Sequence, residues 1–395
     1  MKIKNPVYLS LILLIALLVT VQPSRAQVPC GPSIIPKVTL FVNWPQFQYD
    51  AAHTGCNPYE SILKPSTVGG ITVKWSNAAG EASYTSAVVA DGTVYVSLTQ
   101  CCHFFGRWVY ALNASTGARI WQYGDGDHDT PYSSPAVANG IVYFGSKEGI
   151  LYALNAKTGA LVWQYGPSAL SFTPTVANGV VYAGSQDTNL YALNAATGAL
   201  IWHYTTGAAV DTSPAVANGV VYVGSDHVYA LKADTGAIIW VYPKAPRYSP
   251  SVAGGKVYTV SDQLYALNAT SGALVWSYPA TGTGSVAVGT GKVYLAASDE
   301  NVYALNAATG ALIWQHQPQF DFFPSSPVVA NGVVYVGYMD YFYALDASTG
   351  AQLAKTSGSD QDWTSATVAN GIVYVGLAGG IDNSGALYAF SPSGH

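Results

Sequence analysis

The chain has 395 residues, of which 9% are charged and 13% aromatic, with a formal net charge of −5. With no basic run anywhere, this balance argues against nucleic acid as a partner and gives no support to contact with an anionic membrane surface. Forty glycines, 29 tyrosines and 10 tryptophans against 2 methionines suit turn-rich β-structure packed through aromatic rings, not helices and not disorder.

Lys2 and Lys4 precede an almost unbroken apolar stretch from Tyr8 to Val21, and Ser24-Arg25-Ala26 offers small residues where a signal peptidase reads. The pattern predicts an export signal over residues 1–26, cleaved after Ala26, and a secreted or periplasmic protein. The stretch is too short to span a bilayer comfortably, and no later segment approaches about 18 consecutive apolar residues, so no transmembrane segment is expected in the mature chain. Gln27-Val28-Pro29-Cys30 puts proline where a lipid-anchoring signal needs a small residue. Residues 27–70 read as a Pro-rich leader packed on one face of the domain that the rest of the chain forms. Cys30, Cys56, Cys101 and Cys102 invite disulfides in an oxidising compartment, with three pairings open.

A repeat then governs the chain from residue 71 to the end. Its best copies read Ser-Pro-Ala-Val-Ala-Asn-Gly-Val-Val-Tyr-Val-Gly-Ser, a variable loop, then Leu-Tyr-Ala-Leu-Asn-Ala-x-Thr-Gly-Ala-Leu-Ile-Trp-x-Tyr. One tyrosine series runs Tyr110, Tyr152, Tyr191, Tyr229, Tyr265, Tyr303, Tyr343 and Tyr388. A second runs Tyr95, Tyr143, Tyr182, Tyr222, Tyr258, Tyr294, Tyr335 and Tyr374. Both count eight units, with a period of about 40 residues, the spacing of propeller blades. Within a unit, Ser134 to Ala138, Ile141 to Gly145, Leu151 to Asn155 and Leu161 to Tyr165 read as four antiparallel strands. Asn139-Gly140 is a two-residue hairpin turn between the first two. Trp121, Trp163, Trp202, Trp240, Trp276 and Trp314 recur at fixed spacing and read as structural, each burying its ring against the neighbouring blade with a backbone acceptor for its N–H. The seventh unit has Ala354 instead. The eighth lacks a fourth strand, and Ile71 to Trp75 supplies one. The expected fold is therefore all-β: an eight-bladed β-propeller of four-stranded antiparallel blades, residues 71–395, closed by an N-terminal strand that completes the last blade and removes two sheet edges.

These residues resemble the PQQ-type (quinoprotein-like) β-propeller repeat family. The Tyr-Ala-Leu-Asn-Ala-x-Thr-Gly-x-x-x-Trp stretch is similar to its tryptophan-docking motif, and Trp44-Pro45-Gln46-Phe47 with Asp50, His53, Thr54 and Gly55 is similar to the segment that precedes many such propellers. The resemblance implies one of two branches. One holds quinoprotein dehydrogenases, with PQQ and Ca²⁺ at the ring centre, a disulfide between adjacent cysteines on one face of the quinone and a tryptophan on the other. The other holds non-enzymatic propellers, such as the lipoprotein of the outer-membrane barrel-assembly machinery, similar in length and blade number.

Candidate sites divide in the same way. Cys101 and Cys102 are adjacent in the longest inter-strand loop, which ends near Trp108; they read either as a platform for a planar ligand or as a loop staple. Asp125, Asp127 and Asp129 have the spacing that opens a calcium loop, without the glycine and glutamate that complete one. Equivalent positions just before each first strand are expected to ring the channel mouth, giving Tyr84, Tyr132, Asp211, Arg247 and Trp363 as ligand-binding candidates; the alternative is a mouth packed shut with Asp211 and Arg247 ion-paired. Asp211 and Asp362 are the candidate bases for an enzyme. The favoured function is a binding or interaction scaffold engaging a protein or cell-surface ligand on its loop face. The alternatives are a compact PQQ- and calcium-dependent oxidoreductase acting on alcohols or sugars, and an outer-membrane protein assembly component.

Overall fold

Two-residue turns with both residues at positive φ start each blade: Asn139 and Gly140 at 51° and 75°, Asn218 and Gly219 at 51° and 75°. Such turns carry the right-handed strand twist into a tight hairpin. The structure, a computed structural model, describes residues 43–80, 82–100, 108–124, 131, 133–166, 172–318, 324–339, 341–357, 363–377 and 385–393. These residues form eight sheets, one per repeat, each an antiparallel blade, and Cys56–Asn57 of the leader adds a parallel pair against Val329 and Ala330 in blade 7. In blade 2 the strands are Ala136–Ala138, Ile141–Gly145, Leu151–Asn155 and Leu161–Tyr165, laid side by side in that order. The first strand is shorter than its expected span because Pro135 has no N–H to give a ladder. A bulge the sequence did not announce recurs between third and fourth strands: Ala153 pairs with Trp163, but Leu154 pairs with Leu161.

Ile71–Gly80 closes the ring as expected. It pairs antiparallel with Gly385–Pro392, from Ile71 opposite Pro392 to Gly80 opposite Gly385, and so serves as the missing fourth strand of blade 8.

The core lies between blades. One cluster joins Tyr143, Leu151 and Trp163 of blade 2 to Val181, Tyr191 and Leu193 of blade 3, and similar clusters recur around the ring. Seven of the eight seams are each locked through one alanine carbonyl. Trp163 Nε1 and Tyr143 Oη both donate to Ala195 O, at 3.0 and 2.9 Å. Trp202 and Tyr182 do the same to Ala233, Trp240 and Tyr222 to Ala269, and Trp314 and Tyr294 to Ala347. Trp75, on the closing strand, shares Ala114 with Tyr374. The second tyrosine series thus exists to fill the second lone pair of the carbonyl that each tryptophan uses.

Blade 7 breaks the pattern. With Ala354 in place of tryptophan, the buried Tyr335 hydroxyl finds no partner among the described residues. Leu63 and Val68 of the leader are buried in the same hydrophobic cluster as Val333 and Ile372, against which Ala354 packs.

Candidate functional site

Residues 44–57 thread the centre of the ring. Each inner strand presents a valine at the same place: Val89, Val137, Val176, Val216, Val252, Val288, Val329 and Val368. The leader meets them in chain order. The amides of the first seven donate to Trp44 O, Pro45 O, Gln46 Oε1, Ala51 O, Ala52 O, Thr54 O and Gly55 O over 2.5–2.9 Å. For blade 8, Asn57 Nδ2 donates to Val368 O at 2.7 Å. Inner strands otherwise expose one edge to the channel, so the leader satisfies donors that would need water.

The two ends of this stretch are held by hairpin turns. Asp91 N in the blade 1 turn donates to Asn43 Oδ1, and Gly371 N in the blade 8 turn donates to Glu60 Oε2, both at 3.0 Å. At the opposite, loop end, every blade carries a serine or threonine two residues before its first-strand residue that pairs, from Ser86 to Ser365. These hydroxyls tie neighbouring blades together: Ser213 N donates to Ser249 Oγ at 2.9 Å and Ser285 N to Ser326 Oγ at 3.0 Å.

Between Gln46 on blade 3 and Ala51 on blade 4 the leader turns inward, with Gln48 and Tyr49 at φ 54° and 77°. Gln48 is 2% exposed and neither end of its amide has a partner among the described residues. Asp50 accepts from Thr54 N at 3.0 Å and Thr54 Oγ1 at 2.9 Å, and burial pushes its carboxyl up to about 6. His53 is fully buried with Nε2 2.9 Å from Thr175 Oγ1, and burial lowers its pKa to about 4. Their pH effects oppose one another. Asp50 costs stability as pH rises through the window between its ordinary value and about 6, whereas His53 costs stability as pH falls from its ordinary 6.5 towards 4. Asp50→Asn removes only the first. The variant should gain on the wild type by up to about 3 kcal/mol between pH 4 and pH 7, at about 1.4 kcal/mol per pKa unit, read from urea midpoints. A difference that does not change with pH would show that the Asp50 carboxyl titrates normally.

The predicted mouth residues take different places. Tyr84 is 2% exposed and its hydroxyl lies 2.9 Å from Asn77 Oδ1 on the closing strand. Trp363 is 5% exposed and packs on Phe342, Tyr388 and Phe390. Both aromatic rings are set into the seams on either side of blade 8. Asp211 and Arg247 are exposed and not paired with each other; among the described residues Lys244 pairs with Asp262, and His227 Nδ1 lies 2.8 Å from Asp226 Oδ2. Trp108 is half-buried, and its carbonyl accepts from Leu98 N. Tyr132, Cys101, Cys102, Asp125, Asp127, Asp129 and Asp362 lie outside the described residues. Trp121, Trp163, Trp202, Trp240, Trp276 and Trp314 are each 8–9% exposed and bonded across a seam. Among the described residues no three His, Cys, Asp or Glu side chains come together as metal ligands. No helix among them is long and apolar enough to cross a membrane. Sequence reasoning missed the leader's route through the channel, whose contacts are mostly made by backbone carbonyls.

The sequence profile described as outer membrane protein assembly factor BamB matches residues 71–242 and 224–321, which span the closing strand and blades 1 to 6. The chain belongs to this PQQ-type propeller family. Among solved structures, this family member is similar to BamB from Moraxella catarrhalis, with TM-score 0.68 and 20% identity over 82% of this chain and 98% of that one. It is similar also to the quinohemoprotein alcohol dehydrogenase from Comamonas testosteroni, with TM-score 0.70 and 18% identity over 88% and 80% of the two chains. A europium-containing methanol dehydrogenase gives TM-score 0.70 and 16% identity over 88% and 98%. At such identities the likeness is one of fold, which enzymes and non-enzymes share. No curated protein matches the sequence.

Proposed function

We propose that this propeller is an exported, non-enzymatic binding scaffold for a polypeptide partner, with outer-membrane protein assembly as its finer role. Membership of the BamB family supports the role. The observation that carries the binding reading is an apolar belt on the rim. Leu161, Val162, Leu200, Ile201, Ile238, Ile239, Leu274, Val275, Leu312 and Ile313 are all 40–51% exposed, on the outermost strands of five consecutive blades. Those strands are paired on one side only. Exposed apolar surface repeated along free strand edges is what an extended polypeptide would add to. The belt supports binding better than the loop face, where Tyr84 and Trp363 are buried. An export signal cleaved after Ala26 belongs to this reading. A disulfide from Cys56 to Cys30, Cys101 or Cys102, a staple between the leader and its surroundings or its own N-terminal stretch, belongs to this reading too.

The oxidoreductase reading asks the residues to hold PQQ and Ca²⁺. The described residues do not fit that pair: Trp363, the candidate to face a quinone, is packed among Phe342, Tyr388 and Phe390, and no set of calcium ligands assembles. Titrating the purified mature protein with PQQ plus Ca²⁺ tests the choice. We expect no saturable absorbance change well above micromolar PQQ, and no dye reduction with alcohols or aldoses. Saturable binding with turnover would overturn the scaffold reading.

A further inference from the structure

In five consecutive seams a fourth-strand tyrosine packs on the third-strand tyrosine of the next blade. The pairs Tyr123–Tyr152, Tyr165–Tyr191, Tyr204–Tyr229, Tyr242–Tyr265 and Tyr278–Tyr303 have ring centroids 5.5–5.9 Å apart at 55–59°. The seams flanking blade 8 lack that tyrosine, with Thr356 and Asn77 at the position. Each recruits an aromatic residue from the loop end instead. Trp363 lies 5.8 Å from Tyr388 at 53°, close to the geometry of the tyrosine pairs. Tyr84 plays the corresponding part beside Asn77.

The two replacements differ at their polar tips. The Tyr84 hydroxyl is satisfied by Asn77, at 2.9 Å from Oδ1 and 3.1 Å from the carbonyl. Trp363 Nε1 has no acceptor among the described residues, although the residue is 5% exposed. Thr356 is shorter than the tyrosine it stands for and leaves a cleft of about 330 Å³ in this seam, open to solvent on one side, where the exposed Val73 joins Thr356, Ser357, Trp363, Leu377, Tyr388 and Phe390 in its lining. No charged side chain lines it. Its size falls at the lower end of small-molecule sites. A buried donor left open is costly unless something accepts from it.

We propose that this cleft binds an uncharged small molecule whose ring carries a hydrogen-bond acceptor such as a carbonyl. The ring packs against Tyr388, Phe390 and Leu377, and the acceptor takes the Trp363 N–H. A hydrocarbon of the same shape leaves that donor open; an anion gives up its hydration with no cation to meet it. The site is independent of the polypeptide-binding belt.

Acetophenone, ethylbenzene and benzoate are the probes, followed through the Trp363 indole N–H resonance of ¹⁵N-labelled protein, identified by its absence in Trp363→Phe. Acetophenone should move that resonance saturably in the millimolar range. Ethylbenzene should bind about tenfold more weakly, the worth of one hydrogen bond, and benzoate more weakly still. Thr356→Tyr restores the ring found in the other seams and should abolish binding. Should that variant not fold, acetophenone binding to Trp363→Phe, followed through neighbouring resonances, should drop to the level of ethylbenzene. No movement of the resonance up to acetophenone's solubility, equal affinity for acetophenone and either other probe, or undiminished binding to the variant that folds would overturn the assignment.

Discussion

A chain that begins at residue 71 should not hold a stable closed ring, even though every strand of all eight blades is still present. The leader accepts hydrogen bonds from the inner strands of seven blades and donates to the eighth, and it buries Trp44, His53, Leu63 and Val68 at 0–1% exposure. Water would enter the emptied channel and satisfy the freed amides, so each lost bond costs its net worth, about 1 kcal/mol, and not the full penalty of a buried orphan. Burying each large apolar side chain adds about 1.5–3 kcal/mol. Together these losses are on the order of 10 kcal/mol, comparable with the whole stability of an ordinary domain. The seam between blades 7 and 8 should open first. It lacks a docking tryptophan, and the leader's Leu63 and Val68 are part of the hydrophobic cluster that joins its two blades. Thermal unfolding followed by near-ultraviolet circular dichroism, with limited proteolysis, checks this. We expect loss of the cooperative transition and cleavage near residues 350–370. A truncated chain melting within a few degrees of the full one would show that the leader decorates a ring that is stable without it. Trp44→Ala grades the effect, with an expected loss of about 3–5 kcal/mol.

Local features were legible in the sequence because their causes are local. Asn-Gly pairs force hairpins, short apolar runs between turn residues set the strands, and the fixed spacing from Ala153 to Trp163 carries each indole to the next blade. Ring closure was legible by counting, since one orphan strand before the first unit matches one missing strand after the last. What escaped was non-local. Ala51 O, Ala52 O, Thr54 O and Gly55 O reach blades 4 to 7, but a carbonyl has no side-chain signature, so the leader could be read only as packed on a face. The mouth candidates show the opposite difficulty. Tyr84 and Trp363 stand out as aromatics at a position where most other blades carry small or polar residues, Tyr132 of blade 2 being the exception. Their reason lies in Asn77 and Thr356, which sit in other strands and leave ring-sized gaps. At Tyr84 and Trp363 the aromatic is thus explained by a second departure that its own seam brings alongside.

Gly236→Ala should destabilise the propeller by about 3 kcal/mol, while Gly219→Ala, in the same blade, should cost only about 1 kcal/mol. Both glycines have positive φ, 68° and 75°, where an L side chain adds about 1–2 kcal/mol of backbone strain. They differ in what a Cβ would meet. Nothing lies within 4 Å at Gly219, whereas at Gly236 a Cβ would sit 2.7 Å from Trp202 Cε3. That contact forces the indole off its bed and strains its bond to Ala233 O, adding about 1–3 kcal/mol of overpacking. The repeat makes glycine necessary twice over at this place, for the turn and for the ring above it; Gly117, Gly159, Gly198, Gly272, Gly310 and Gly350 lie under their own tryptophans in the same way. A double-mutant cycle separates the two demands. Trp202→Ala alone should cost about 3–5 kcal/mol. With the indole gone, Gly236→Ala should fall to the cost measured at Gly219, so the coupling energy equals the steric part alone. Urea unfolding of the four proteins gives that number. Strict additivity would mean that the glycine is kept for its backbone conformation and that the indole yields to a methyl group at no cost.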